Sequence, residues 1–135
     1  MKGVPLRLNY LLMKMDKILV VDDEIETCNL LSEFLGRKKY DVSIATSGQE
    51  AISRIESSKP DVVLLDIRMP GMDGMEVLRR IKQIHKDIDV VIITAVNEEE
   101  VGRKAISLGA FDYITKPIRL NYLETAVLLK LFMRV

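Results

Sequence analysis

Short apolar runs alternate along the chain with longer amphipathic segments. The runs lie at 18–21, 42–45, 62–65, 90–93 and 111–114. Three of them are rich in β-branched residues and apolar without alternation, the pattern of strands buried on both faces of a parallel sheet. The segments between have helical spacing, as in Leu30, Leu31, Phe34 and Leu35, or Val77, Leu78 and Ile81. Helix starts carry a repeated signature, a capping residue followed three positions later by Glu. It appears as Asp23 with Glu26, Ser47 with Glu50, Asp73 with Glu76, Asn97 with Glu100 and Asn121 with Glu124. Five strands each followed by a capped helix predict a (βα)₅ chain. Right-handed crossovers then give a doubly wound α/β domain, a five-stranded parallel sheet with helices on both faces.

Two features stand outside this count. Residues 1–15 precede the first strand without a partner element and read as an N-terminal extension, a flexible tail or residues upstream of a start at Met13 or Met15. The domain itself is expected over 16–135. The pentad Arg-Leu-Asn-Tyr-Leu occurs at 7–11 and again at 119–123, which is not a structural repeat.

Bulk properties narrow the function classes. The 135 residues suffice for one domain with its own core. Twenty basic residues balance twenty acidic ones, so no net field favours nucleic acid or an anionic membrane. No apolar run approaches the roughly 18 residues that span a bilayer, and 1–15 lack the apolar core of a secretion signal. The lone Cys28 has no partner for an internal disulfide and suits a reducing cytoplasm.

In an open parallel sheet, functional groups collect beyond the carboxyl ends of the strands. The first run ends in Asp22-Asp23-Glu24, the third in Asp66, the fourth in Thr94-Ala95 and the fifth in Thr115-Lys116-Pro117. One rim therefore presents carboxylates, a hydroxyl and an amine. Three carboxylates at the end of a buried sheet repel one another and raise each other's pKa. A hard divalent cation removes that conflict, and all-oxygen ligands with open water positions suit Mg²⁺. Lys116 and Thr94 add positive charge and a hydrogen bond, and carboxylates form acyl phosphates as nucleophiles. The set fits a carboxylate that becomes phosphorylated.

Val20-Val21-Asp22-Asp23-Glu24, the segment from Leu64-Leu65-Asp66 through Asp73-Gly74, Thr94-Ala95 and Lys116-Pro117 resemble the receiver domain of two-component response regulators. The resemblance runs from about Lys17 to the C-terminus. It implies the flavodoxin-like sheet order 2-1-3-4-5, with Asp66 as phosphoacceptor from the phosphohistidine of a sensor histidine kinase or phosphotransfer protein. Asp23 would ligate Mg²⁺ directly, Asp22 largely through water, and the backbone carbonyl of Arg68 would complete the protein ligands. Lys116 would pair with a phosphoryl oxygen, next to a cis Lys116-Pro117 bond. Thr94 would move toward the phosphoryl group, Tyr113 would follow it as the second switch residue, and small Ala95 would leave the site open. No enzyme acting on other substrates is implied, only transfer to, and hydrolysis from, Asp66.

Each of these residues alone has a plainer reading. Asp23 would be a helix cap, Asp66 a turn residue, Thr94 an edge hydroxyl, Lys116 a solvated amine and Tyr113 packing. Their joint order and spacing decide against it. His85 reads as a surface residue and Cys28 as half-buried packing. A haloacid-dehalogenase-type phosphatase would want a second acid where Arg68 stands. A flavin or nucleotide binder would want a Gly/Ser/Thr-rich loop where Asp22-Asp23-Glu24 stands. A scaffold that never uses phosphate is the third alternative, and the intact site argues against it.

The face of the fourth helix, fifth strand and fifth helix is expected to carry the response to an output domain, a second protomer or another partner. Gly102, inside the fourth helix over 98–108, costs about 1 kcal/mol relative to Ala and reads as a soft point. The last helix, 120–135, carries Leu123, Val127, Leu128, Leu129, Leu131, Phe132 and Met133, more than one helical face. With no helix-turn-helix after it, the chain reads as a stand-alone or excised receiver without direct nucleic-acid binding.

Overall fold

The computed structural model describes residues 16–129 and residue 131. Five strands, β1 (Lys17–Val21), β2 (Asp41–Ala45), β3 (Val62–Asp66), β4 (Asp89–Thr94) and β5 (Asp112–Thr115), form one parallel sheet in the order β2-β1-β3-β4-β5. The (βα)₅ pattern is the one expected, and the strand order is the one that the family resemblance implies. Helices α1 (Ile25–Arg37), α2 (Gly48–Ser57), α3 (Gly74–Ile84) and α4 (Glu99–Ser107) follow the first four strands. α5 begins as Leu120–Tyr122 and continues in a wider π-helical form over Leu123–Leu128.

The apolar runs land where sheet position requires. β3 is buried along its whole length, and β1 and β4 are buried apart from their first residues. β2 and β5, at the two edges, are only partly buried. Alternate residues of the central strands feed two cores. Leu19, Val63, Leu65 and Val90 meet Ile55, Val77, Leu78 and Ile81 under α2 and α3. Ile18, Val20, Leu64 and Val91 meet Leu31, Leu35, Leu123 and Val127 under α1 and α5. Each such side chain contributes about 1.5–3 kcal/mol by leaving water. Those two cores fix the carboxyl ends of β1, β3 and β4 side by side.

Several expectations need correction. Ser47 and Asp73 cap their helices by accepting from the backbone N–H of Glu50 and Glu76. The other three do not cap. α1 starts after Glu24 with no side-chain cap, because Asp22 takes the Glu24 N–H and Asp23 joins an acidic cluster instead. Asn97 sits inside a 3₁₀ turn (Val96–Glu98) that precedes α4, and Asn121 lies within α5. Phe111 falls before β5, where its N–H bonds the Val90 carbonyl at 2.8 Å. Cys28 is fully buried, not half-buried. In the last helix Leu123, Val127, Leu128 and Leu131 all pack inward, and of the leucines only Leu129 is exposed. Phe132, Met133, the extension 1–15 and the first copy of the pentad lie outside the described residues.

Candidate functional site

The carboxyl ends of β1, β3, β4 and β5 converge on one acidic pocket. Asp22 directly follows β1 and Asp66 is the last residue of β3, and the two are 1% and 4% exposed. Asp23, two residues past β1, stands at the surface. Ligand oxygens of Asp22, Asp23 and Asp66 lie within 4.8 Å of one another, the only such triad among the described residues. Three acids this close, two of them out of water, need a cation.

Lys116 supplies the protein's own. From the loop after β5, its Nζ reaches Asp66 Oδ2 at 3.1 Å, Asp22 Oδ2 at 3.5 Å and Glu24 Oε1 at 3.8 Å. Burial disfavours the ammonium, yet its hydrogen bond to Asp66 and the charges of Asp66, Asp22 and Glu24 hold its pKa above the usual lysine value. Burial pushes the Asp22 carboxyl up to about 6, and the charge of Asp66 pushes the same way. The Glu24 N–H and the Lys116 ammonium act against them. One ammonium leaves the pocket electron-rich, and the all-oxygen donor set is what a hard cation binds.

Backbone geometry holds the acids in place. Asp22 Oδ1 accepts from the Glu24 N–H at 2.9 Å and Asp66 Oδ1 from the Arg68 N–H at 3.0 Å. Both are tight local turns that aim the second oxygen at the pocket. Gly74, the first residue of α3, lets that helix close against the same loop. A Cβ there would stand 2.5 Å from Ile67 Cα and 2.7 Å from the Asp66 carbonyl oxygen. The Lys116–Pro117 bond is cis, and the Lys116 N–H bonds the Thr94 carbonyl at 2.7 Å.

The remaining candidate residues fall around this centre. Thr94 ends β4 at 1% exposure, but its hydroxyl donates to the Ile114 carbonyl at 3.4 Å rather than to Asp66. Ala95 is half-buried beside it, and Tyr113 is half-buried on β5. His85 lies away from the pocket, at the C-terminus of α3. Two contacts had no signal in the sequence. Glu24 adds a third carboxylate to the surroundings of Lys116. The Arg68 guanidinium pairs with Glu98, tying the loop after Asp66 to the start of α4.

Residues 18–128 match the family described as Response regulator receiver domain. Sporulation initiation phosphotransferase F of Bacillus subtilis is 38% identical over 112 residues, 83% of this chain and 90% of that protein. The alkaline phosphatase synthesis transcriptional regulatory protein PhoP of Bacillus subtilis is 43% identical over 101 residues, 75% of this chain and 42% of its own length. The chain thus spans less than half of that relative. Among solved structures, the receiver domain of NtrX from Brucella abortus superimposes with a TM-score of 0.81 at 32% identity, covering 87% of this chain and 99% of that one. A two-component response regulator from Clostridium difficile gives 0.83 at 30% identity, covering 89% and 98%.

Proposed function

The chain belongs to the response regulator receiver domain family, and from that premise we propose that Asp66 is its phosphoacceptor. The donor is a phosphohistidine of a sensor histidine kinase or phosphotransfer protein. The observation that carries this reading is the convergence of Asp22, Asp23 and Asp66 within 4.8 Å, with Lys116 Nζ 3.1 Å from Asp66.

In the transfer, one Asp66 oxygen forms a bond to phosphorus as the donor's phosphorus–nitrogen bond breaks. The electron pair leaves on the imidazole, which takes a proton from solvent. Lys116 then trades its contact with Asp66 for one with a phosphoryl oxygen. Thr94 gives up the Ile114 carbonyl and turns its hydroxyl toward the same group. Small Ala95 leaves room for the incoming donor. Asp22, Asp23, Asp66 and the backbone carbonyl of Arg68 would hold Mg²⁺. When bound, such an ion would supply positive charge to offset that of the carboxylates and of the phosphoryl group.

The response is carried by α4, β5 and α5, with Tyr113 following Thr94. Its recipient is an output domain or a second protomer rather than nucleic acid directly. The chain's own chemistry ends with transfer to and hydrolysis from Asp66. Its place is the cytoplasm; no helix among the described residues is long and apolar enough to cross a membrane.

Incubation with acetyl phosphate, with and without Mg²⁺, followed by intact-mass measurement, tests the proposal. One added phosphoryl group per chain, only with Mg²⁺, is expected. No addition in either sample would leave the non-phosphorylated scaffold as the better reading.

A further inference from the structure

Gly102 reads in sequence as a soft point of α4, and the structure gives it a different job. The Tyr113 ring, on neighbouring β5, rests against the backbone of α4 at this residue. A Cβ added to Gly102 would stand 2.5 Å from the ring's Cδ2, 2.6 Å from Cγ and 3.0 Å from Cε2. Carbon atoms do not approach so closely, so this ring position and any larger residue at 102 exclude each other. Gly102 is buried in the body of α4, where helix propensity alone favours alanine.

The position of the ring is tied to the site. Tyr113 lines a cavity of about 600 Å³ together with Glu99, Lys116 and Tyr122, between α4 and the loop that carries Lys116. Its neighbour Ile114 accepts the Thr94 hydrogen bond. A ring seated on Gly102 and a Thr94 hydroxyl turned away from Asp66 therefore occur together in this structure.

We propose that Gly102 is a positioning residue whose missing side chain forms the seat for the Tyr113 ring in the resting domain. Filling the seat displaces the ring and biases the domain toward the phosphoryl-bound arrangement. The second statement rests on Asp66 as phosphoacceptor; the first does not.

The test uses the full chain labelled with 3-fluorotyrosine, with Tyr113→Phe to assign the Tyr113 fluorine resonance. In Gly102→Ala that resonance should move while that of Tyr40 holds. Labelling by acetyl phosphate with Mg²⁺ should become about threefold faster, a modest population shift. In a Tyr113→Ala background, Gly102→Ala should raise Tm by about 3 °C, because the helical preference for alanine is then unopposed. With Tyr113 present that gain should vanish or reverse. If Gly102→Ala alone does not fold, recovery in the double variant supports the seat equally. An unmoved Tyr113 resonance, or the same stability change with and without the ring, overturns the seat. A displaced ring with unaltered labelling overturns the bias. Absence of labelling in the parent chain refutes Asp66 as acceptor, and the resonance and stability readouts still decide the seat.

Discussion

The carboxyl end of the sheet gathers Asp22, Asp23 and Asp66, while the amino end gathers Asp16, Asp61, Asp87 and Asp89 around a cavity of about 230 Å³. The two rims hold similar numbers of acids and differ in how those acids are placed. At the amino end, Asp61 accepts the Lys17 N–H at 2.8 Å and Asp87 pairs with Lys59, which lowers its pKa. No three of these acids bring their oxygens together as the opposite rim does. At the carboxyl end two acids are buried, three oxygens converge, and a single ammonium serves Asp66, Asp22 and Glu24. Acidity alone does not make a site. Burial and convergence create an electrostatic demand that a cation and a phosphoryl group can meet.

The contrast can be broken at its strongest point first. Asp66→Asn keeps the shape of the side chain and its contact with the Arg68 N–H but removes the nucleophile. Labelling by acetyl phosphate should fall to background while circular dichroism stays that of the parent. Lys116→Ala comes next. It leaves Asp22 and Asp66 buried without their ammonium, so stability should drop by about 1–2 kcal/mol once partial solvent screening is allowed for. Labelling should slow about tenfold, the equivalent of one hydrogen bond to a charged group. Urea melts and initial labelling rates check the two effects separately.

Asp23→Asn should weaken Mg²⁺ binding by about tenfold, as loss of one charged ligand does. Because Asp23 is exposed, metal-free stability should stay level; calorimetric titration against a thermal melt resolves this. The smallest effects belong to the other rim. Asp61→Asn and Asp87→Asn should leave Mg²⁺ affinity and labelling unchanged, and a tenfold loss from either would erase the distinction between the rims.

Much of this was legible in the sequence because it is written in local pattern. Continuous apolar runs marked β1, β3 and β4, and the residues at their ends marked the site. Ser47 and Asp73 were readable as caps because each acts on a backbone N–H three residues away. Asp23 fitted both the capping signature and the acidic set with Asp66, and the fold puts it in the acidic cluster and not on the helix start. Gly102 was readable as a helix weakness, but its value as empty space depends on the Tyr113 ring in the next strand. Nothing in the residues of α5 announces the wider hydrogen bonding over Leu123–Leu128. The direction of the Thr94 hydroxyl was equally hidden, since one residue type can serve the Ile114 carbonyl or a phosphoryl oxygen.

Locating the phosphoryl group tests the central claim most directly. An acyl phosphate is reduced by borohydride, which converts the phosphorylated aspartate to homoserine. After acetyl phosphate and Mg²⁺, peptide mapping should find homoserine at position 66 and at no other acid. Homoserine at Asp61, Asp87 or Asp89, or none at all, would contradict the account.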